Sequence, residues 1–92
     1  MKVHLRVQAA DTLRGLPTPI KARLKKALRG LANDPFGHAG GDVRRLQSAA
    51  GSVFRSRVGT WRIVYRVHGN TVDVVRIFPR EDGYGWMDRM DF

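Results

Sequence analysis

The sequence predicts an α+β domain in which a small antiparallel β-sheet packs against an N-terminal helical hairpin, the sheet combining an N-terminal strand with a C-terminal meander. Three observations carry this. Lys2 to Gln8 alternates apolar and polar residues, Pro19 to Ala32 repeats its apolar residues at helical spacing, and from Val43 the alternation of strands returns. With 92 residues, the chain has length for one modest core, so residues 1–92 are expected to form a single domain.

In the first segment Val3, Leu5 and Val7 alternate with Lys2, His4, Arg6 and Gln8, which is the period of a half-buried strand. "AADTLRGLP" fits a short helix ending near Gly15. Thr18 is then placed to cap a second helix, with Pro19 in its first turn. Along that helix Ile20, Leu24, Ala27, Leu28 and Leu31 form an apolar stripe, and Lys21, Lys25, Lys26 and Arg29 lie mostly on the other side. Pro35 disfavours helical geometry at the residue before it, so the helix is expected to end near "NDP". "DPFGHAGGD" reads as a loop. "VRRLQSAAGS" leads into the strands "VFRSRV", "WRIVYRV" and "TVDVVRIF", with turns at Gly59 and at Gly69-Asn70.

Composition narrows the function. The formal net charge is +9, which points to an anionic partner. Between Val53 and Arg80 the lone acid is Asp73, against six arginines. After Arg80 the balance reverses, with Glu81, Asp82, Asp88 and Asp91 against Arg89. No cysteine is present, which excludes disulfides, thiolate metal sites and a cysteine nucleophile. No stretch approaches the roughly 18 apolar residues of a membrane span, and "MKVHLRVQAAD" lacks the apolar block of a secretory signal. A cytoplasmic protein with no membrane partner is the expectation.

Alternation sorts the hairpin "FRSRVGTWRIVYRV" into two faces. Phe54, Trp61, Ile63 and Tyr65 are expected to face the helices as core. Arg55, Arg57, Arg62 and Arg66 then collect on the uncovered face, with Val64 among them. Like charges on neighbouring strands destabilise a sheet unless an anion comes between them. One reading is a solubilising face that protects the sheet from aggregation. The reading preferred here is an anion site, extended by Arg76 and Arg80, because the arginine fork grips phosphate bidentately.

The order of these elements, and above all "FRSRVGTWRIVYRVHGNTVDVVRIFPREDGY", resembles the RelE/ParE superfamily of type II toxins over nearly the whole chain. "DPFGHAGGDVRRLQ" is similar to the loop and Leu-centred segment that precede that pattern in the family. The resemblance implies a RelE-like fold and one of two activities: RelE-like members cut messenger RNA in the ribosomal A site, and ParE-like members poison DNA gyrase. The RelE-like active positions match Arg55 and Arg57 on the first active strand, Arg62 after the aromatic residue, Arg80 closing the last strand, and Tyr84. Their occupancy favours the ribonuclease, with a gyrase poison or a catalytically degenerate binding module as alternatives. Arg55 and Arg57 stand where some relatives carry lysine, which moves proton transfer away from these side chains.

The resemblance also implies a metal- and cofactor-independent cut by the RNA's own 2′-hydroxyl. Arg62, Arg80, Tyr84 and Arg57 are the expected catalytic residues, and Arg55, Arg66, Arg76 and Trp86 the expected RNA-binding ones. Arg62 and Arg80 would clamp the scissile phosphate, and Tyr84 would stack on a base or serve as general base if neighbouring arginines lower its pKa from about 10. Trp86 is a neighbouring ring able to share the stacking. The spacing of His4, His38 and His68 fits neither a metal site nor a histidine pair for acid–base work. Glu81 and Asp82 read as helix N-terminal charges or ion-pair partners. The basic face of "LKKALRG" reads as solvated, with nonspecific docking on ribosomal RNA as a possible use. Implied partners are a cognate antitoxin, the 30S A site of the ribosome and messenger RNA. The toxin is expected to be a monomer within a hetero-oligomeric toxin–antitoxin complex. The tail, with Trp86, Met87, Met90 and Phe92, is apolar enough to pack as a short helix or to lie in a partner's path.

Overall fold

A computed structural model describes residues 1–37, 42–46 and 53–89. The readings attached to His38, Met90, Asp91 and Phe92, and to residues 47–52 of the Leu-centred segment, lie outside the described residues. The order is β1 (Lys2–Leu5), α1 (Val7–Arg14), α2 (Thr18–Asn33), β2 (Val43–Arg45), β3 (Val53–Val58), β4 (Trp61–His68) and β5 (Thr71–Pro79), followed by 3-10 turns at Arg80–Asp82 and Gly85–Arg89. The five strands form one sheet in the order β1-β5-β4-β3-β2.

The meander β2 to β5 is antiparallel, but β1 runs parallel to β5. No hairpin turn joins these two strands, so their direction is set by the long path through both helices and the meander. β1 also stops earlier than its alternation predicts. Arg6 donates its backbone N–H to the Val74 carbonyl, and the chain then turns into α1, leaving Val7 exposed. Beyond that point the Gln8 side chain continues the ladder. Its Nε2 donates to the Ile77 carbonyl at 2.9 Å, and its Oε1 accepts from the Ile77 N–H at 3.1 Å. One amide thereby satisfies both backbone groups that β5 would otherwise leave unpaired at that point.

α2 begins one residue earlier than a Thr18 cap requires. Pro17 is the N-cap and its carbonyl accepts from Lys21 N–H, so Thr18 is already helical and its side chain makes no cap bond. The helix ends at Asn33, before Asp34 and Pro35. Its apolar stripe packs as expected: Leu24, Leu28 and Leu31 join Ala9 and Leu13 of α1 against Ile63, Tyr65, Val72, Val74 and Ile77 of the sheet. Phe54 and Trp61 pack at the margin of this core. The Tyr65 hydroxyl, buried beneath the helices, donates to the Pro35 carbonyl at 2.6 Å. Burial, aided by the charge of Asp34, pushes that phenol far above its ordinary pKa.

The second face of the sheet is not open. Val53, Val64, Val75 and Phe78 form a second core there, covered by Leu46, Trp86 and Met87. A bulge between Val64 and Tyr65 in the β4–β5 register makes this possible. With strict alternation after Val74, Arg76 would point into the helical core. The extra residue, Val75, shifts the phase so that Arg76 lies opposite Val64 and Phe78 opposite Arg62.

Candidate functional site

Three strand ends converge beside the β3–β4 turn. Arg57 and Arg62 are direct cross-strand partners, and Arg62 lies opposite Phe78 of β5. At the end of β5 the Arg80 N–H donates to the Thr60 carbonyl at 2.7 Å, tying the residue to the same turn. Tyr84 packs edge-on against Phe78, with ring centroids 5.3 Å apart, and remains partly exposed. Arg57, Arg62, Arg80 and Tyr84 therefore gather at one corner of the sheet.

Their environments differ. Arg62 is only 8% exposed, and its Nη1 donates to the carbonyls of Gly59 (3.1 Å) and Trp61 (2.9 Å). These two bonds fix the guanidinium within the hairpin turn. Arg80 is exposed. Arg57 is half exposed, and its Nε meets Asp42 Oδ2 at 2.6 Å. Arg55 is buried, and its Nη1 donates to Oδ1 of the same carboxylate at 3.3 Å. The expectation of four arginines on an uncovered face thus fails for Arg55 and Arg62, because the second core draws both inward.

Of the other expected RNA-binding residues, Arg66 lies apart from this corner, and Arg76 and Trp86 pack over the second core beside it. Arg66 is four residues beyond Arg62 along β4, roughly 13 Å away at strand spacing, and faces Val53 and Asp73. Arg76 is half-buried, with its guanidinium carbon 5.1 Å from the centroid of the Trp86 ring. Trp86 is itself packed edge-on against Phe78 at 5.5 Å, and its Nε1 donates to the Gly83 carbonyl. It covers the second core rather than standing free to stack on a base. Glu81 and Asp82 sit exposed in the 3-10 turn that starts at Arg80.

The sequence from residue 3 to residue 84 matches the family described as ParE toxin of type II toxin-antitoxin system, parDE. The chain belongs to this family of type II toxins. Among solved structures, the archaeal RelE–RelB complex from Pyrococcus horikoshii OT3 contains a chain with 23% identity and a TM-score of 0.74, covering 89% of this toxin and 97% of that chain. The toxin-antitoxin complex RelBE2 from Mycobacterium tuberculosis gives 26% identity and a TM-score of 0.71, covering 86% and 96%. The isolated E. coli RelE toxin gives 18% identity and 0.72, covering 96% and 93%. The α+β fold of the toxin is that of the RelE toxins. No curated protein sequence matches it significantly.

Two residues of the toxin's basic corner escaped the sequence reading. Asp42 bridges Arg55 and Arg57, and the hint for it was that no other acid occurs between Pro35 and Val72. Arg23 of α2 reaches the turn from the helical side. A Cβ on Gly59, where φ is +59°, would come within 2.9 Å of Arg23 Nη2. Its place at the border of the apolar stripe, between Ile20 and Ala27, was the available signal. The two described histidines lie away from this corner: His4 contacts Asp73 at 3.4 Å, and His68 ends β4 at the opposite end of the hairpin. Among the described residues no group of three histidine or acidic side chains gathers as metal ligands. The corner offers fixed cations, two of them accessible, beside one exposed phenol.

Proposed function

We propose that this toxin is a metal-independent endoribonuclease that cuts messenger RNA in the ribosomal A site and so inhibits translation. The observation that carries this reading is the convergence of Arg57, Arg62 and Arg80 with an exposed Tyr84 beside one turn. In such a cut the RNA's 2′-oxygen bonds to the adjacent phosphorus and the bond to the 5′-oxygen breaks. The products are a 2′,3′-cyclic phosphate and a 5′-hydroxyl. Between them lies a phosphorane whose oxygens carry extra negative charge, and fixed cations aimed there are often the largest catalytic term. Arg62, pinned by two carbonyls, is pre-oriented for that role, and Arg57 and Arg80 are the accessible cations that reach the phosphate from either side.

Arginine stays protonated, so proton transfer falls to Tyr84 or to groups brought by the ribosome. A site this poor in bases is slow on free RNA, and a ribosome that orients the substrate supplies what is missing. The reading places the toxin in the cytoplasm as one domain. It is a monomer that a cognate antitoxin holds in a hetero-oligomer. The solved RelE–RelB complexes support such a partner.

A second reading, a DNA gyrase poison, is favoured by the family description and by the internal partners of Arg55 and Arg62. Mapping 5′ ends on translated messages after induction, alongside a supercoiling assay, separates the two. New A-site ends that vanish in Arg80→Ala support the ribonuclease. Intact messages with inhibited supercoiling support the gyrase poison.

A further inference from the structure

We infer that Arg23 of α2 forms a second phosphate subsite on the helical side of the β3–β4 turn, so that single-stranded RNA bound at the basic corner passes over Gly59 toward α2. This rests on the ribonuclease reading. Gly59 lies between two guanidinium groups. Arg62 binds its carbonyl oxygen, and Arg23 Nη2 lies 2.9 Å from where a Cβ on Gly59 would stand. Among the described residues no acidic side chain forms an ion pair with Arg23. Two cations held against one residue repel each other unless an anion lies between or beside them.

Beyond the turn, Arg23, Lys26 and Arg57, with Asp34 and Asp42, line a cavity of about 590 Å³ between α2 and the β2–β3 edge, a net surplus of positive charge. β2 pairs with β3 as far as Ser56, and just beyond it the Arg57 N–H donates to the Asp42 carbonyl while the Arg57 side chain curls to the Asp42 carboxylate on the cavity wall. Arg57 thereby belongs to both sides of the turn and links the corner to Arg23. A backbone leaving the scissile position meets Arg57 first and Arg23 next.

The test is binding of a fully 2′-O-methylated, uncleavable oligoribonucleotide, followed by fluorescence anisotropy over a salt series. Arg23→Gln is expected to weaken binding about tenfold at low salt and to flatten the log–log salt slope by about 0.7, the share of one phosphate on a single strand. Arg23→Lys, which keeps the charge, should restore most of the slope. Lys25→Gln, on the outer face of α2, should change it little. Unchanged binding in Arg23→Gln overturns the subsite, as does an equal loss in Lys25→Gln, which marks generic attraction. Arg23→Lys failing as badly as Arg23→Gln assigns the residue to packing on the turn and also overturns it. If Arg23→Gln does not fold, as read by thermal melting, Arg23→Lys against wild type decides, since only a phosphate contact keeps the salt slope at wild-type steepness. Wild-type toxin that binds no free RNA at all would sink this subsite alone, whereas the ribonuclease reading, in which the ribosome orients the substrate, fails only if message on programmed ribosomes stays intact.

Discussion

Two arginines that look equivalent in sequence play different physical parts. Arg80 is exposed and makes no internal side-chain bond among the described residues, so Arg80→Ala should leave stability within about 0.5 kcal/mol of wild type. The same change should cost at least roughly a hundredfold in cleavage if its charge meets the phosphorane. Arg62 is buried and bonded to two turn carbonyls, so Arg62→Ala should also destabilise the fold, by about 1–3 kcal/mol, visible as a lower Tm. Equal Tm losses for the two variants would contradict the assignment. At the far end of the sheet, Asp73 is desolvated, which alone would raise its pKa. Hydrogen bonds from Arg6 and His4, with their charges, outweigh this and hold it below its ordinary value of 3.8. Because the folded value is the lower one, the stabilisation is fully present above the unfolded pKa and is lost as pH falls through the folded one. Asp73→Asn should therefore lower the Tm at neutral pH and flatten the acid limb of a Tm–pH profile. Parallel profiles would show that the Arg6 pair contributes nothing.

At the scale of elements, the junction between β1 and α1 depends on one amide. Gln8 takes over the pairing of β5 at Ile77 once β1 has turned away. Gln8→Leu keeps the volume but strands two half-buried backbone groups, and should cost about 2–4 kcal/mol. Hydrogen exchange should locate the loss, with the Ile77 amide losing protection ahead of the β3–β4 amides. Uniform loss across the sheet would assign Gln8 to general packing instead. The bulge at Val75 works at the same scale. It turns an alternation that would bury Arg76 in the helical core into one that sets Phe78 edge-on to Trp86 and opposite Arg62. The basic corner and the second core are thus products of the same one-residue shift.

For the whole molecule, the layers were legible because each rests on local periodicity: the stripe of α2, the alternation of β3 to β5 and the glycine turns. The residues that face each other across the hairpin were legible for the same reason, since Arg57 and Arg62 fall opposite once the turn is placed at Gly59. What could not be read depends on contacts between segments far apart in sequence. The parallel entry of β1, Asp42 reaching Arg55 and Arg57, and Arg23 resting on Gly59 leave no periodic trace. The second core left a partial one, because Val64 and Phe78 on the arginine face and Trp86 in the tail are apolar residues that need a cover. The charge of the corner and its burial together make the central claim, that this surface cuts RNA held by the ribosome. Its most direct test is single-turnover cleavage of messenger RNA on programmed ribosomes by purified toxin, with Arg80→Ala and Lys25→Gln beside wild type. The account predicts a cut in the A site leaving a 2′,3′-cyclic phosphate, lost in Arg80→Ala and kept in Lys25→Gln. Intact message with wild-type toxin, or a cut that survives Arg80→Ala, would contradict it.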